Sequence, residues 1–253
     1  MSVEAPNNIK FQSPSTKKNT TIQSSDAQAF QQYFQSETTQ YTKRTEHSPK
    51  SPRQNTTWLE YEGADEKNSA DALKKMGTLT NDGLLKFSKV ASNQSSFDRV
   101  LTGLKSSPNM RHLIIRHSSL SNHHIQTVAK VLQLNDGIAW LVLDHNKMDD
   151  RGVQQLAEGL KNNHGVKHVV LADNAFGDEG AVALAQAIKQ HPCVETLWVQ
   201  GNAIGDNGGE ALARAIDDHP TLTTVDIRDN QLSESKKEML KKVCEKNNIR
   251  CYG

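Results

Sequence analysis

LVLDHNKMDDRG, residues Leu141 to Gly152, holds an Asp-His-Asn run followed by two further Asp. Acid, imidazole and amide this close together fit a hydrolase site, a metal site, or the punctuation of a repeated fold. The flanking sequence decides. MRHLIIRHSSL starts at Met110, IAWLVLDHNKM at Ile138, VKHVVLADNAF at Val166, VETLWVQGNAI at Val194 and LTTVDIRDNQL at Leu222, each 28 residues after the one before. A weaker copy, DGLLKFSKVAS, starts at Asp82, again 28 residues before Met110. Five full copies in fixed register identify a repeat architecture.

Within each copy the period changes. Positions 4 and 6 are apolar (Leu113/Ile115, Leu141/Leu143, Val169/Leu171, Leu197/Val199, Val225/Ile227), the alternation of a short strand with one buried face. Position 9 is Asn146, Asn174, Asn202 and Asn230, with Ser118 in the first copy. An amide carries donors and an acceptor, so a stacked Asn column can bond the backbone freed where each strand becomes a loop. Position 11 is apolar again, and a turn follows: DDRG, GDEG or GDNG. Asp150, Asp178 and Asp206 are placed to cap the helix that follows them, and Gly152, Gly180 and Gly208 open it. Pairs such as Leu156/Leu160, Leu184/Ile188 and Leu212/Ile216 then recur at helical spacing. One strand and one helix cannot bury their apolar faces alone. Stacked, they make a solenoid with a parallel sheet on one side and helices on the other.

The LxLxxNxL pattern of LVLDHNKM, VVLADNAF, LWVQGNAI and VDIRDNQL, each followed by a helix, resembles the leucine-rich repeat family. The long-repeat type, typified by ribonuclease inhibitor and the sensor regions of NOD-like receptors, fits best. The resemblance covers residues 82 to 249 and departs at Ser118 and at the first turn, SNHH, which lacks the Gly. It implies an α/β solenoid, with a curved parallel sheet inside and helices outside, and usually protein binding. The expected organisation is a disordered tail over 1–57, an N-terminal cap and degenerate repeat over 58–109, and five repeats with a C-terminal cap over 110–249. Ser69 to Met76 and Phe97 to Ser107 read as helices of the N-terminal cap. A charged last helix, SESKKEMLKKVCEKNN, precedes a final edge strand in IRCYG.

Function in such a fold belongs to the strand positions that face away from the helices. Position 3 supplies His112, Trp140, His168, Thr196 and Thr224, and position 5 supplies Ile114, Val142, Val170, Trp198 and Asp226. Position 7 supplies Arg116, Asp144, Ala172, Gln200 and Arg228, and position 8 His117, His145, Asp173, Gly201 and Asp229. Trp140 and Trp198 are expected as an exposed pair, and Trp and Arg are enriched in interface hot spots. The expected partner-binding set is His112, Arg116, Trp140, Asp144, His145, His168, Trp198, Gln200, Asp226 and Arg228. Five strands span about 20 Å, room for one helix or loop of a protein partner.

The competing reading is a metalloprotein or metal-dependent enzyme using His117, His145 and Asp173, which fall in one column on adjacent strands. Imidazole and carboxylate are competent zinc ligands. No fourth ligand is identifiable, and the column continues with Gly201 and Asp229, so a solvated rim is the preferred account. P-loop, HExxH and GxSxG motifs are absent. GDNGG at Gly205 repeats the GDEG turn, and Asp206 opposes phosphate there. The expectation is a non-enzymatic binding module without cofactor or metal.

A net charge of +1 gives no field toward nucleic acid or an anionic membrane. Three Cys without framework spacing point to a reducing compartment. No apolar run reaches the length of a membrane span, and no apolar core of a cleaved signal peptide opens the chain. A monomer inside a cell is expected. Residues 1–57 are dominated by Ser, Thr, Asn and Gln, too polar to repay the entropy of ordering. Within them SSDAQAFQQYFQ sets Ala27, Phe30, Tyr33 and Phe34 on one helical face, either a transient helix or a docking motif. Ser48-Pro49 and Ser51-Pro52, each followed by a basic residue, resemble proline-directed kinase sites. A polar start ahead of a eukaryote-like repeat is similar to bacterial effectors secreted into host cells. A eukaryotic intracellular adaptor or regulator with a phosphorylatable tail is the alternative.

Overall fold

The computed structural model describes residues 58–76, 83–91, 95–189 and 191–253. The tail over 1–57, the helix expected around Phe30 and the Ser48 and Ser51 pairs lie outside them. Among the described residues eight parallel strands stand side by side in chain order: β1 (Trp58–Glu62), β2 (Gly83–Ser88), β3 (Met110–Arg116), β4 (Trp140–Val142), β5 (His168–Val170), β6 (Thr196–Trp198), β7 (Thr224–Asp226) and β8 (Arg250–Tyr252). Between them run α1 (Glu66–Met76), α2 (Ser95–Gly103), α3 (Asn122–Leu132), α4 (Asp150–Leu160), α5 (Asp178–Ile188), α6 (Asp206–Ile216) and α7 (Glu234–Lys246). Each helix packs on the helix before and after it. Helices need about 8–10 Å between axes and strands about 4.8 Å, so such a stack bends toward its strand side. No described helix is long and apolar enough to cross a membrane.

The repeat register is the pairing register. His112, Trp140, His168, Thr196 and Thr224 are consecutive partners across the sheet. Leu113, Leu141, Val169, Leu197 and Val225, one position on, are fully buried beneath the helices. Each such side chain contributes roughly 1.5–3 kcal/mol. β1 is a unit the 28-residue spacing misses: Trp58 pairs with Leu84, an offset of only 26 residues, and Ala64 and Val90 stand where later copies carry Asn. The helix expected from Ser69 begins at Glu66, because Asp65 caps it by accepting from the Asn68 amide at 2.7 Å. The expected helix Phe97 to Ser107 ends at Gly103 and tightens to a 3-10 turn over Leu104–Ser106.

The Asn column ties each turn to the preceding unit. Asn174 Nδ2 donates to Leu143 O, Asn202 Nδ2 to Leu171 O and Asn230 Nδ2 to Val199 O, each at 3.0 Å. Asn146 reaches back to Ile115 O at 2.7 Å. Ser118 serves the first copy: its hydroxyl accepts from Val90 N and donates to Arg116 O.

The Asp column corrects the expected capping. Asp150, Asp178 and Asp206 are the first residues of their own helices, and their carboxylates reach the next repeat. Asp150 Oδ1 accepts from Gly177 N and Gly180 N at 2.7 Å each, and Asp178 Oδ1 from Gly205 N at 2.7 Å and Gly208 N at 2.9 Å. Gly180 is required by this approach, since a Cβ there would stand 2.8 Å from Asp150 Oδ1. Helix α4 is capped by Asp149, which accepts from Gly152 N.

Candidate functional site

Strand positions 3, 5 and 7 point away from the helices, by the pleat that sends 4 and 6 into the core. The structure gathers the expected residues into three groups. His112, Trp140 and His168 form a row across β3, β4 and β5, with the His168 and Trp140 rings stacked 3.6 Å apart between centroids. Trp140 is therefore not exposed as the sequence suggested; it is 7% accessible. Trp198, two strands away, is half-buried and remains the partly open member of the pair. His168 Nδ1 lies 3.0 Å from the Thr196 hydroxyl, and burial pushes its imidazole down to about 3. Ile114, Val142 and Val170 are buried at position 5.

The second group is ionic. Arg116 Nε donates to both Asp144 oxygens at 2.8 Å, and Asp144 is fully buried. Asp144 Oδ2 also lies 2.8 Å from His145 Nδ1, and His145 Nε2 lies 3.4 Å from Asp173. The Asp144 hydrogen bond raises the His145 imidazole, and burial raises the Asp173 carboxyl. The His117 ring sits 4.3 Å from that of His145. A buried charge pair of this kind is costly to break, because the surviving charge is left without compensation.

The third group closes the sheet. Arg228, exposed, donates through Nε to Asp226 at 3.0 Å and lies over the Tyr252 ring at 5.3 Å. Asp226 is buried and Gln200 is half-buried on the strand before. Tyr252 was not among the expected residues, although its place in the final strand matches position 5.

Position 8 has a different explanation from the one its chemistry suggests. Gly63, Lys89, His117, His145, Asp173, Gly201 and Asp229 occupy it, and all have φ between 48° and 75°. This left-handed conformation favours Gly and admits Asp and His more readily than other side chains. The backbone thus accounts for a column of imidazoles and carboxylates. Both ring nitrogens of His145 already face carboxylates, and among the described residues no three His, Cys, Asp or Glu side chains are grouped to hold a metal ion.

A further column lies at the far ends of the helices. Asn135, Asn163, His191, His219 and Asn247 recur every 28 residues beyond the helices. Asn135 donates to Leu104 O, Asn163 to Leu132 O and His219 Nε2 to Ile188 O. Burial pushes the His191 imidazole down to about 4 and lowers that of His219. Asn135, Asn163 and His219 hold the back of the solenoid together as the Asn column holds the strand ends.

Residues 162–185 and 190–213 match the family model described as Leucine Rich repeat. No curated protein matches the chain. Among solved structures, leiomodin-1 actin-binding site 2 is similar with a TM-score of 0.52 and 19% identity, over 60% of this chain and 88% of that one. A Bacteroides fragilis protein covers 90% of this chain and 83% of its own, with a TM-score of 0.36 and 12% identity. The first likeness is one of fold; the second is too loose to carry an argument.

Proposed function

The repeats of this chain are leucine-rich repeats, and from that premise we propose that it is a non-enzymatic module that binds a partner protein on the strand face of the solenoid. Leucine-rich repeats generally mediate protein–protein interaction. The observation that carries the reading is the division of labour between columns. Positions 4, 6 and 9 repeat their residue class down the sheet, whereas positions 3, 5 and 7 change from strand to strand, from imidazole and indole through aliphatic to Asp, Arg and Gln. A fold needs the first set to be uniform and leaves the second free, and a binding face is built from such variety. Arg228 is exposed on this face with Trp198 and Gln200 half-buried in the repeat before it, and indole and guanidinium groups are suited to anchoring a partner. The leiomodin-1 domain is described as an actin-binding site, which supports a binding role for the fold without naming a partner for this chain.

The 28-residue unit with a complete helix supports the long-repeat, ribonuclease-inhibitor-like type. The Ser/Thr/Asn/Gln-rich composition of 1–57 supports a bacterial effector acting on host proteins. The test places a photo-crosslinking residue at His117 or Gln200 on the strand side, and at Gln186 or Arg214 on the helix side. A partner captured from the strand positions and lost on Trp198→Ala with Arg228→Ala supports the proposal. Capture confined to the helix positions overturns it.

A further inference from the structure

We propose that Cys244 and Cys251 form a reversible disulfide that fastens the last strand to the last helix and makes the C-terminal cap responsive to redox state. The chain leaves α7, turns at Asn248 with φ 56°, and runs back as β8. Ile249 N donates to Cys244 O at 2.8 Å and Arg250 N to Thr223 O at 2.8 Å, so the turn and the strand start are both fixed. Cys251 pairs in register with Val225. Val225 is fully buried beneath the helices, so Cys251 turns into the core layer that holds Cys244, and the two thiols perturb one another. Cys244 is 1% accessible and Cys251 is half-buried; both are free thiols. β8 is the terminal strand of the sheet, bonded to β7 alone among the described strands.

The pair divides the chemistry of thiol–disulfide exchange. The interaction with Cys244 lowers the Cys251 thiol, while that same interaction and burial raise Cys244. The more open Cys251 is the attacking group and the buried Cys244 the resolving one. With a low-molecular-weight disulfide, the Cys251 thiolate attacks one sulfur and expels one small thiol. Cys244 then gives up its proton and displaces the second small thiol from Cys251. Two protein thiols are oxidised to one disulfide, and the small disulfide is reduced to two thiols that carry away both protons. Cys193, whose Sγ lies 2.9 Å from His164 O in the loop before β6, lies outside the pair and serves as an internal control.

The test treats the full chain with oxidised glutathione, blocks residual thiols and digests with trypsin. The expected product links the peptide Val243–Lys246 to Cys251–Gly253, the thiol titre falling from three to one. Dithiothreitol restores it, and the oxidised protein melts a few degrees higher. In Cys244→Ser, Cys251 is instead trapped as its glutathione adduct. Because Cys244 is buried, Cys251→Ser provides a second arm in which no adduct forms at Cys244. An unchanged titre, adducts without the internal link, or a link formed only after thermal unfolding overturns the proposal.

Discussion

At the scale of single residues, the backbone explains much of what first looks like chemistry. His145 and Asp173 stand in a left-handed column that also holds Gly63, Lys89, Gly201 and Asp229. The conformation costs an ordinary L-residue roughly 1–2 kcal/mol and β-branched residues most. Asp229 is exposed, so its substitution isolates the backbone. Asp229→Val is expected to lower stability by about 1–2 kcal/mol, and Asp229→Gly to leave it nearly unchanged, as denaturant unfolding will show. Equal effects of the two would remove the backbone account. Sequence alone exposed the column but gave no sign of φ, because four different residue types meet the same constraint. Trp140 shows the converse: its strand position is legible in AWLVL, but its burial depends on His112 and His168 on the flanking strands.

At the scale of elements, the starts of α5 and α6 depend on the preceding unit. The Asp of DDRG, GDEG and GDNG sits one position inside its own helix and caps the next. Deleting Asp178 is therefore expected to loosen α6 and not α5. Asp178→Ala should cost about 1–2 kcal/mol, the usual range for a lost cap. Amide exchange should accelerate at Gly205 and Gly208 while the amides at the start of α5 stay protected. Acceleration at α5 instead would restore capping of its own helix. The Asp-Gly spacing was plain in the sequence. Which helix it served was not, since a residue 27 positions away is a neighbour only after stacking.

At the scale of the whole molecule, buried imidazoles set the response to acid. His168 and His191 are held down to about 3 and about 4, and His219 is lowered as well, so the fold keeps them neutral. In the unfolded chain they protonate near their ordinary value, about 6.5. Below that pH the unfolded state binds more protons, and stability falls until the folded-state values are reached. His145, raised by Asp144, acts in the opposite sense: its contribution is present at low pH and lost as pH rises through its raised value. Three groups against one predict a melting temperature that falls from about pH 7.5 to about pH 5. Equivalent positions in other repeats carry Asn135, Asn163 and Asn247, so His191→Asn should be accommodated by the fold and flatten that decline. A variant as acid-sensitive as the parent would remove His191 from the account. The sequence by itself determined the repeat, its 28-residue register, the inward apolar columns and the Asn ladder, because stacking identical units demands the same residue class at the same place each time. It could not place β1, whose offset is 26 residues, nor assign Asp150 to α5, nor bury Trp140, nor set Cys251 against Cys244. Those are contacts between units and at the ends of the stack, where no repeated pattern carries the information and only the three-dimensional neighbours decide.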